Sequence, residues 1–144
     1  MFSVLVKLSI ALALAFEVSA SSAPKPPVDL RPAHLQPVEQ SILERTNAER
    51  VRYGMAPLAI DPALENTARA QAAWMTNNHV MQHGNFGVAE NIAWGQHNAA
   101  EALGSWMASD GHRANILNPG YHRVGVAAYT APDGSCYWCQ QFMP

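Results

Sequence analysis

The stretch Trp106-Met-Ala-Ser-Asp-Gly-His-Arg-Ala-Asn-Ile-Leu117, WMASDGHRANIL, is the one on which the fold turns. Leu103, Trp106 and Met107 share one helical face, and Ser109-Asp110-Gly111 then interrupts that helix. A second, short helix is expected from His112 to Leu117, ended by the turn Asn118-Pro119-Gly120. The helix before the break should start at Asn98, where Asn98-x-x-Glu101 has the form of a capping box. His112 therefore stands at a helix start, whose positive dipole end disfavours the imidazolium form. A neutral imidazole is the form that binds metals or acts as a base. Ser109 precedes it by three residues, in N-cap position, but no G-x-S-x-G elbow surrounds it to support a Ser-His nucleophile.

Downstream, Arg123 to Tyr129 and Cys136 to Phe142 have strand composition, and Pro132-Asp133-Gly134 between them is a hairpin signal. Upstream, residues 80–97 are glycine-rich and irregular, with Val88 to Trp94 a short strand. Before them, Asp61-Pro62 opens a helix with an N-cap residue and a first-turn proline. Leu64, Ala68, Ala72, Met75 and His79 form its inner stripe, with His79 as a C-terminal capping or core-edge residue. The first helix should run from Pro37 to Tyr53 and end at Gly54. Its inward stripe reads Leu43, Asn47, Arg50, Gly54, so Asn47 and Arg50 must be hydrogen-bonded where they are buried. The order helix, helix, short strand, helix, helix, strand, strand implies an α+β layered fold, with helices covering a small antiparallel sheet.

Residues 1–20 read as a secretory signal peptide: an apolar run from Leu8 to Phe16, then the small-residue pattern Val18-Ser-Ala20. The run is shorter than the roughly 20 residues of a membrane span. Residues 21–37 carry five prolines and form a linker, leaving 38–144 as one domain. Beyond residue 20, eight Lys/Arg face ten Asp/Glu, and this net charge of −2 argues against nucleic-acid binding. Cys136 and Cys139, if on one extended strand, are about 10 Å apart, too far for a disulfide. Two thiols or a strained local bridge are expected, and no helix follows that would make C-x-x-C a redox motif.

His83, Glu90 and His112 are the candidate chemical residues. Two imidazoles and a carboxylate are the ligand set of a catalytic zinc with an open position, although none of the local zinc spacings, such as H-E-x-x-H, occurs.

These residues sit in a recognisable series. His83, Ala89-Glu90-Asn91-Ile-Ala93, Trp106-x-x-Ser109-x-Gly-His112-Arg113-x-Asn115-Ile-Leu117, Val124-Gly-Val-Ala127 and Tyr137-Trp138-x-Gln140-x-Phe142 follow Asn47-x-x-Arg50 and Leu58-x-x-Asp61-x-x-Leu64. Together, over residues 38–143, they resemble a bacterial member of the CAP superfamily. This is the SCP-like extracellular domain shared by cysteine-rich secretory, antigen 5 and pathogenesis-related proteins. The resemblance implies a three-layer α-β-α sandwich and a secreted protein, extracellular or periplasmic. It also implies a central cavity in which His83, Glu90 and His112 take three positions that hold zinc or another divalent cation in some members. The fourth, acidic in many members, falls on Ser109, which removes a carboxylate ligand. Asn91, Arg113 and Asn115 fall on supporting positions, the latter two tying the short helix to the first helix.

The function so implied is a non-enzymatic binding or interaction module, monomeric, for an unknown small molecule, lipid or protein, with no transmembrane segment. The alternatives are a metal-dependent hydrolase using His83, Glu90 and His112, or a structural component of the cell envelope spaced by the proline-rich arm.

Overall fold

Pro37, with its fixed φ and missing N–H, sits where a helix needs neither freedom nor a donor, and helix α1 (Pro37–Arg52) starts there. The computed structural model of the chain describes residues 34–144. The expected signal peptide and nearly all of the proline-rich linker lie outside the described residues. Helix α1 ends at Tyr53, and Gly54 turns the chain with φ +77°. Its buried residues are Glu39, Ile42, Thr46 and Arg50. The inward stripe is thus rotated by about one residue from Leu43-Asn47-Arg50-Gly54: Leu43 and Asn47 are half-buried at its margin and Gly54 is exposed. Thr46 is accepted inside because its hydroxyl donates to Ile42 O at 2.7 Å and accepts from Gln140 Nε2 at 2.6 Å.

After α1 comes β1 (Ala59–Ile60), a strand of two residues without the alternation that would reveal it in sequence. Asp61 then caps α2 (Pro62–Asn78), accepting from the Ala63 and Leu64 N–H groups at 2.9 and 3.1 Å. His79 closes this helix in a left-handed conformation, φ 51°. It does so through its backbone with its ring exposed, and is not a core-edge residue. The remaining elements are β2 (Ala89–Trp94), α3 (Ala99–Met107), α4 (Asp110–Ile116), β3 (Arg123–Thr130) and β4 (Cys136–Met143). At the start of α3, Asn98 accepts the Glu101 N–H at 2.9 Å, but the Glu101 carboxylate reaches one residue beyond the cap, to His97 N at 2.9 Å.

The strand order is β1-β3-β4-β2. Because β1 pairs with β3 in parallel while the other pairs are antiparallel, the sheet is mixed, not wholly antiparallel. Helix α2 covers one face, where Ala68, Ala72 and Met75 meet Ile92, Ala127, Tyr137 and Cys139. Helices α1, α3 and α4 cover the other, packing Ile42, Trp106 and Ile116 on Val124, Val126, Trp138 and Phe142. The result is the α-β-α sandwich. Gly125 permits the close seating of α2, since a Cβ there would run into the Leu64 carbonyl. Cys136 and Cys139 are both free thiols; three residues apart on β4, they point to opposite faces. Among the described residues no helix is long and apolar enough to cross a membrane.

A candidate site at the free edge of strand β2

Strand β2 is the outer strand on its side of the sheet, and the loop before it folds back over α2. Glu90 is the residue that ties loop to sheet. It stands opposite Gln141 on β4, on the α2 face. Glu90 Oε1 accepts the Gly84 N–H at 3.0 Å and lies 2.9 Å from His83 Nδ1; Oε2 accepts Gln141 Nε2 at 2.8 Å and a 3.7 Å contact from Cys139 Sγ. Gln141 is itself fixed by Thr67, whose hydroxyl donates to Oε1 at 2.5 Å. The Glu90 side chain is 5% exposed against 59% for His83.

Such a buried carboxylate needs charge-assisted hydrogen bonds in place of water. Here the Gly84 N–H, the Gln141 amide and the Cys139 thiol all donate to it, so both oxygens serve as acceptors. With both oxygens already accepting, Nδ1 is the donor in the His83 contact, which leaves Nε2 free of the carboxylate. In a metal site this is the part of an outer carboxylate that orients a histidine, not that of a ligand.

His112 lies in the first turn of α4, half-buried. Burial first, and the neighbouring His83 second, hold its imidazole below the usual histidine range, so it is neutral at pH 7. Its carbonyl accepts Asn91 Nδ2 at 3.1 Å. Asn91, fully buried, also meets Gln140 Oε1 at 3.3 Å and accepts Asn115 Nδ2 at 2.9 Å. Asn115 therefore ties α4 to β2, not to α1. Arg113 does reach the end of α1: it donates to Tyr53 Oη at 3.1 Å and stacks 5.0 Å above that ring. Ser109 occupies the N-cap position of α4 without a side-chain capping bond.

Two depressions flank this arrangement. One, of about 400 Å³, holds His83 with Gln71, Trp74 and Phe86; the other, of about 270 Å³, holds His112 and Ser109 with Met81 and Trp94. Trp74, Met81, Phe86 and Trp94 are all at least 40% exposed. The three residues expected to share a metal are thus divided: the two imidazoles face separate depressions, and Glu90 lies beneath with its lone pairs spent. Among the described residues no group of three or more His, Cys, Asp or Glu is placed to hold a metal ion. The donor set does not fit a three-ligand zinc site.

Sequence reasoning missed Gln141 and Thr67, and it missed the aromatic border. Gln140-Gln141 inside the apolar strand CYWCQQFM was the available signal, since a polar pair in a buried strand must be satisfied on both faces.

The model of the CAP family, described as the cysteine-rich secretory protein family, matches residues 43–142. An uncharacterized protein of Bacillus subtilis, YkwD, is 35% identical over 129 residues, covering 78% of this chain and 49% of that protein. An uncharacterized membrane protein of the same organism, YlbC, is 30% identical over 105 residues, 61% of this chain and 30% of that protein. The chain thus spans half or less of the length of these curated relatives. Among solved structures, an extracellular protein containing an SCP domain from Bacillus anthracis superposes with a TM-score of 0.65 at 25% identity, over 78% of this chain and 45% of that one. A cysteine-rich secretory protein from Staphylococcus aureus gives 0.58 at 25% identity, over 77% and 40%. An outer surface protein of Borrelia burgdorferi gives 0.65 at 18% identity, over 72% and 89%, and is alike in fold. With the family model covering the sheet up to Phe142 and every helix but the first six residues of α1, the chain belongs to the CAP family and is a CAP-domain protein of bacterial type.

Proposed function

We propose that this protein is an exported, non-enzymatic binding module whose ligand is uncharged and largely apolar, seated in the depressions beside His83 and His112. The observation that carries this is the border of those depressions. Trp74 and Phe86 stand beside His83, Met81 and Trp94 beside His112, all with exposed side chains. Apolar side chains gathered around polar anchors mark ligand or partner sites more often than chance exposure does. The ring nitrogens of His83 and His112, with Ser109, supply the few directional contacts, and Glu90 is a brace. A Glu90 general base would have to give up hydrogen bonds that hold its own loop. Export rests on the order of residues 1–20, with the extracellular and secretory descriptions of the Bacillus anthracis and Staphylococcus aureus proteins in support.

Titrating the purified mature chain with Nile red, a neutral apolar dye, tests the ligand class. Saturable binding should weaken about tenfold or more, ~1.4 kcal/mol, in Trp74→Ala or Trp94→Ala. Dye binding unchanged in both variants overturns the apolar reading. One-to-one zinc binding by calorimetry, lost in both His83→Ala and His112→Ala, establishes the metal reading in its place. N-terminal sequencing of the protein recovered outside the cytoplasm should begin at Ser21; an intact Met1 on cytoplasmic protein refutes export.

A further inference from the structure

Where the chain enters the domain, it buries charges that the β2 site does not use. Glu39 on α1 and Glu65 on α2 are 2% and 0% exposed, and one guanidinium, Arg69 on α2, lies between them. Glu39 takes nearly all of it. Its Oε1 accepts Arg69 Nε at 2.8 Å, and its Oε2 accepts Arg69 Nη2 at 2.6 Å and the Gln36 N–H at 2.7 Å. Arg69 Nη2 also donates to the His34 carbonyl at 3.0 Å.

Glu65 Oε2 accepts the Val126 N–H of β3 at 2.8 Å. Its Oε1 lies 3.1 Å from Arg69 Nε, but the single hydrogen on that nitrogen points to Glu39. The oxygen is left buried without a hydrogen-bond partner. As a carboxylate oxygen it would be a desolvated, unsatisfied acceptor. This oxygen and Glu39 Oε1 crowd the same Arg69 Nε, at 3.1 and 2.8 Å; carried as an O–H, it becomes a donor with the Glu39 carboxylate in reach, and the deficit disappears.

We propose that Glu39, Glu65 and Arg69 form a proton-operated latch: one proton shared by the two carboxyls holds His34–Gln36 and the first turn of α1 onto α2 and β3, and its loss loosens them. Protonated, the cluster is neutral. Deprotonated, it holds two buried carboxylates against one cation that is itself 26% exposed. Burial above all, and then the Glu39 charge, raise the Glu65 carboxyl to about 7 against the opposing pull of the Val126 N–H and Arg69. Of the other groups facing the cluster, Tyr129 of β3 acts on Arg69. The Cys139 thiol of β4 is pushed well above its usual value by burial and stays neutral. The folded chain keeps a proton that the unfolded chain releases near 4.5. The latch contribution is therefore full below that pH and is lost as pH rises through about 7.

The test is a pH titration of glutamate side-chain carboxyls by 13C NMR on the mature chain, with amide exchange at Gln40 in the first turn of α1 followed in parallel. One carboxyl should titrate near 7, and Gln40 protection, corrected for intrinsic rate, should fall about tenfold between roughly pH 6 and 8.5. In Glu65→Gln the amide N–H replaces the O–H as donor to Glu39, so protection should no longer change with pH. All glutamates titrating below about pH 5.5, or Gln40 protection that ignores pH in the wild-type chain, overturns the latch. Should Glu65→Gln fail to fold, the wild-type titration still decides. Glu39→Gln, leaving one carboxylate for one guanidinium, should then lower the Glu65 titration by about one unit or more; no movement also overturns it.

Discussion

Replacing Arg50 by methionine should destabilise the domain by about 3–5 kcal/mol. The guanidinium is 1% exposed and donates to four carbonyls. These are Ala56 O at 2.8 Å, Ile116 O at 2.8 Å, Asn118 O at 2.9 Å and Tyr121 O at 3.0 Å. A hydrogen bond from a charged donor contributes roughly 1.5–3 kcal/mol, and an acceptor orphaned in the interior costs roughly 1–3 kcal/mol. The gross loss therefore exceeds the net, because methionine keeps the packed stem and no longer buries a cation. Urea denaturation at pH 7, followed by tryptophan fluorescence, reads the change. With m near 2 kcal/mol/M the midpoint should drop by about 2 M at unchanged slope. Lysine should rescue less than half of this, since one ammonium cannot span four carbonyls. A midpoint shift under about 0.5 M for Arg50→Met would mean that the turn from Asn118 to Tyr121 holds itself, and the reasoning would fail.

Gln141→Leu should remove one Glu90 anchor, costing about 1–3 kcal/mol and mixing the two His83 tautomers. Imidazole 15N NMR checks this, and a single unchanged tautomer counts against the bracing role of Gln141. Asn91→Ala should cost about 2–4 kcal/mol, with hydrogen-exchange protection lost first in α4; uniform loss across all helices would refute a local tie. A thiol reagent at neutral pH should modify Cys136 slowly and Cys139 only on unfolding, because burial raises both thiols, Cys139 far more. Mass spectrometry of the labelled chain decides. His112 supplies a pH slope opposite to that of Glu65. Its folded pKa is lowered, so the unfolded chain takes a proton near 6.5 that the folded chain resists. Stability should then rise with pH up to that value and fall below it. In Glu65→Gln this slope should stand alone between about pH 5 and 7, and a flat denaturation midpoint there refutes it.

The helices and the hairpin were legible because each carries its own punctuation: Pro37 and Gly54, Asp61-Pro62, Asn98 with Glu101, Pro132-Asp133-Gly134. Strand β1 was not, since two residues in parallel pairing leave no periodic trace, and its partner at Arg123–Val124 is more than 60 residues away. The α1 stripe was misread because Thr46 looks like a surface residue until Gln140 arrives from β4 to satisfy it. His83, Glu90 and His112 could be named from sequence, and His83 does meet Glu90. The division of labour among them could not. That Glu90 braces, and is not free to coordinate, depends on Gln141, Gly84 and Cys139 converging on one carboxylate, and it takes the β2–β4 pairing and the fold of the loop before β2 to bring them there.

That pairing also explains why two glutamines are tolerated side by side in the most buried strand. Glu90 stands opposite Gln141 and Asn91 opposite Gln140, so two adjacent cross-strand pairs direct polar groups to the two faces of the sheet. Gln141, with Thr67, serves the α2 face; Gln140, with Thr46 and Asn115 through Asn91, serves the face of α1 and α4. Both glutamines are 0% exposed. A slip of β2 by one residue against β4 would turn its polar set to the wrong faces, parting one buried carboxylate and three buried amides from their partners, at roughly 1–3 kcal/mol for each orphaned group. Apolar residues at all four positions would pack in either register almost equally well. The polar pairs thus specify the alignment of the edge strand on which the site is built, and they place Glu90 under His83 and Asn91 under the His112 carbonyl in the same stroke.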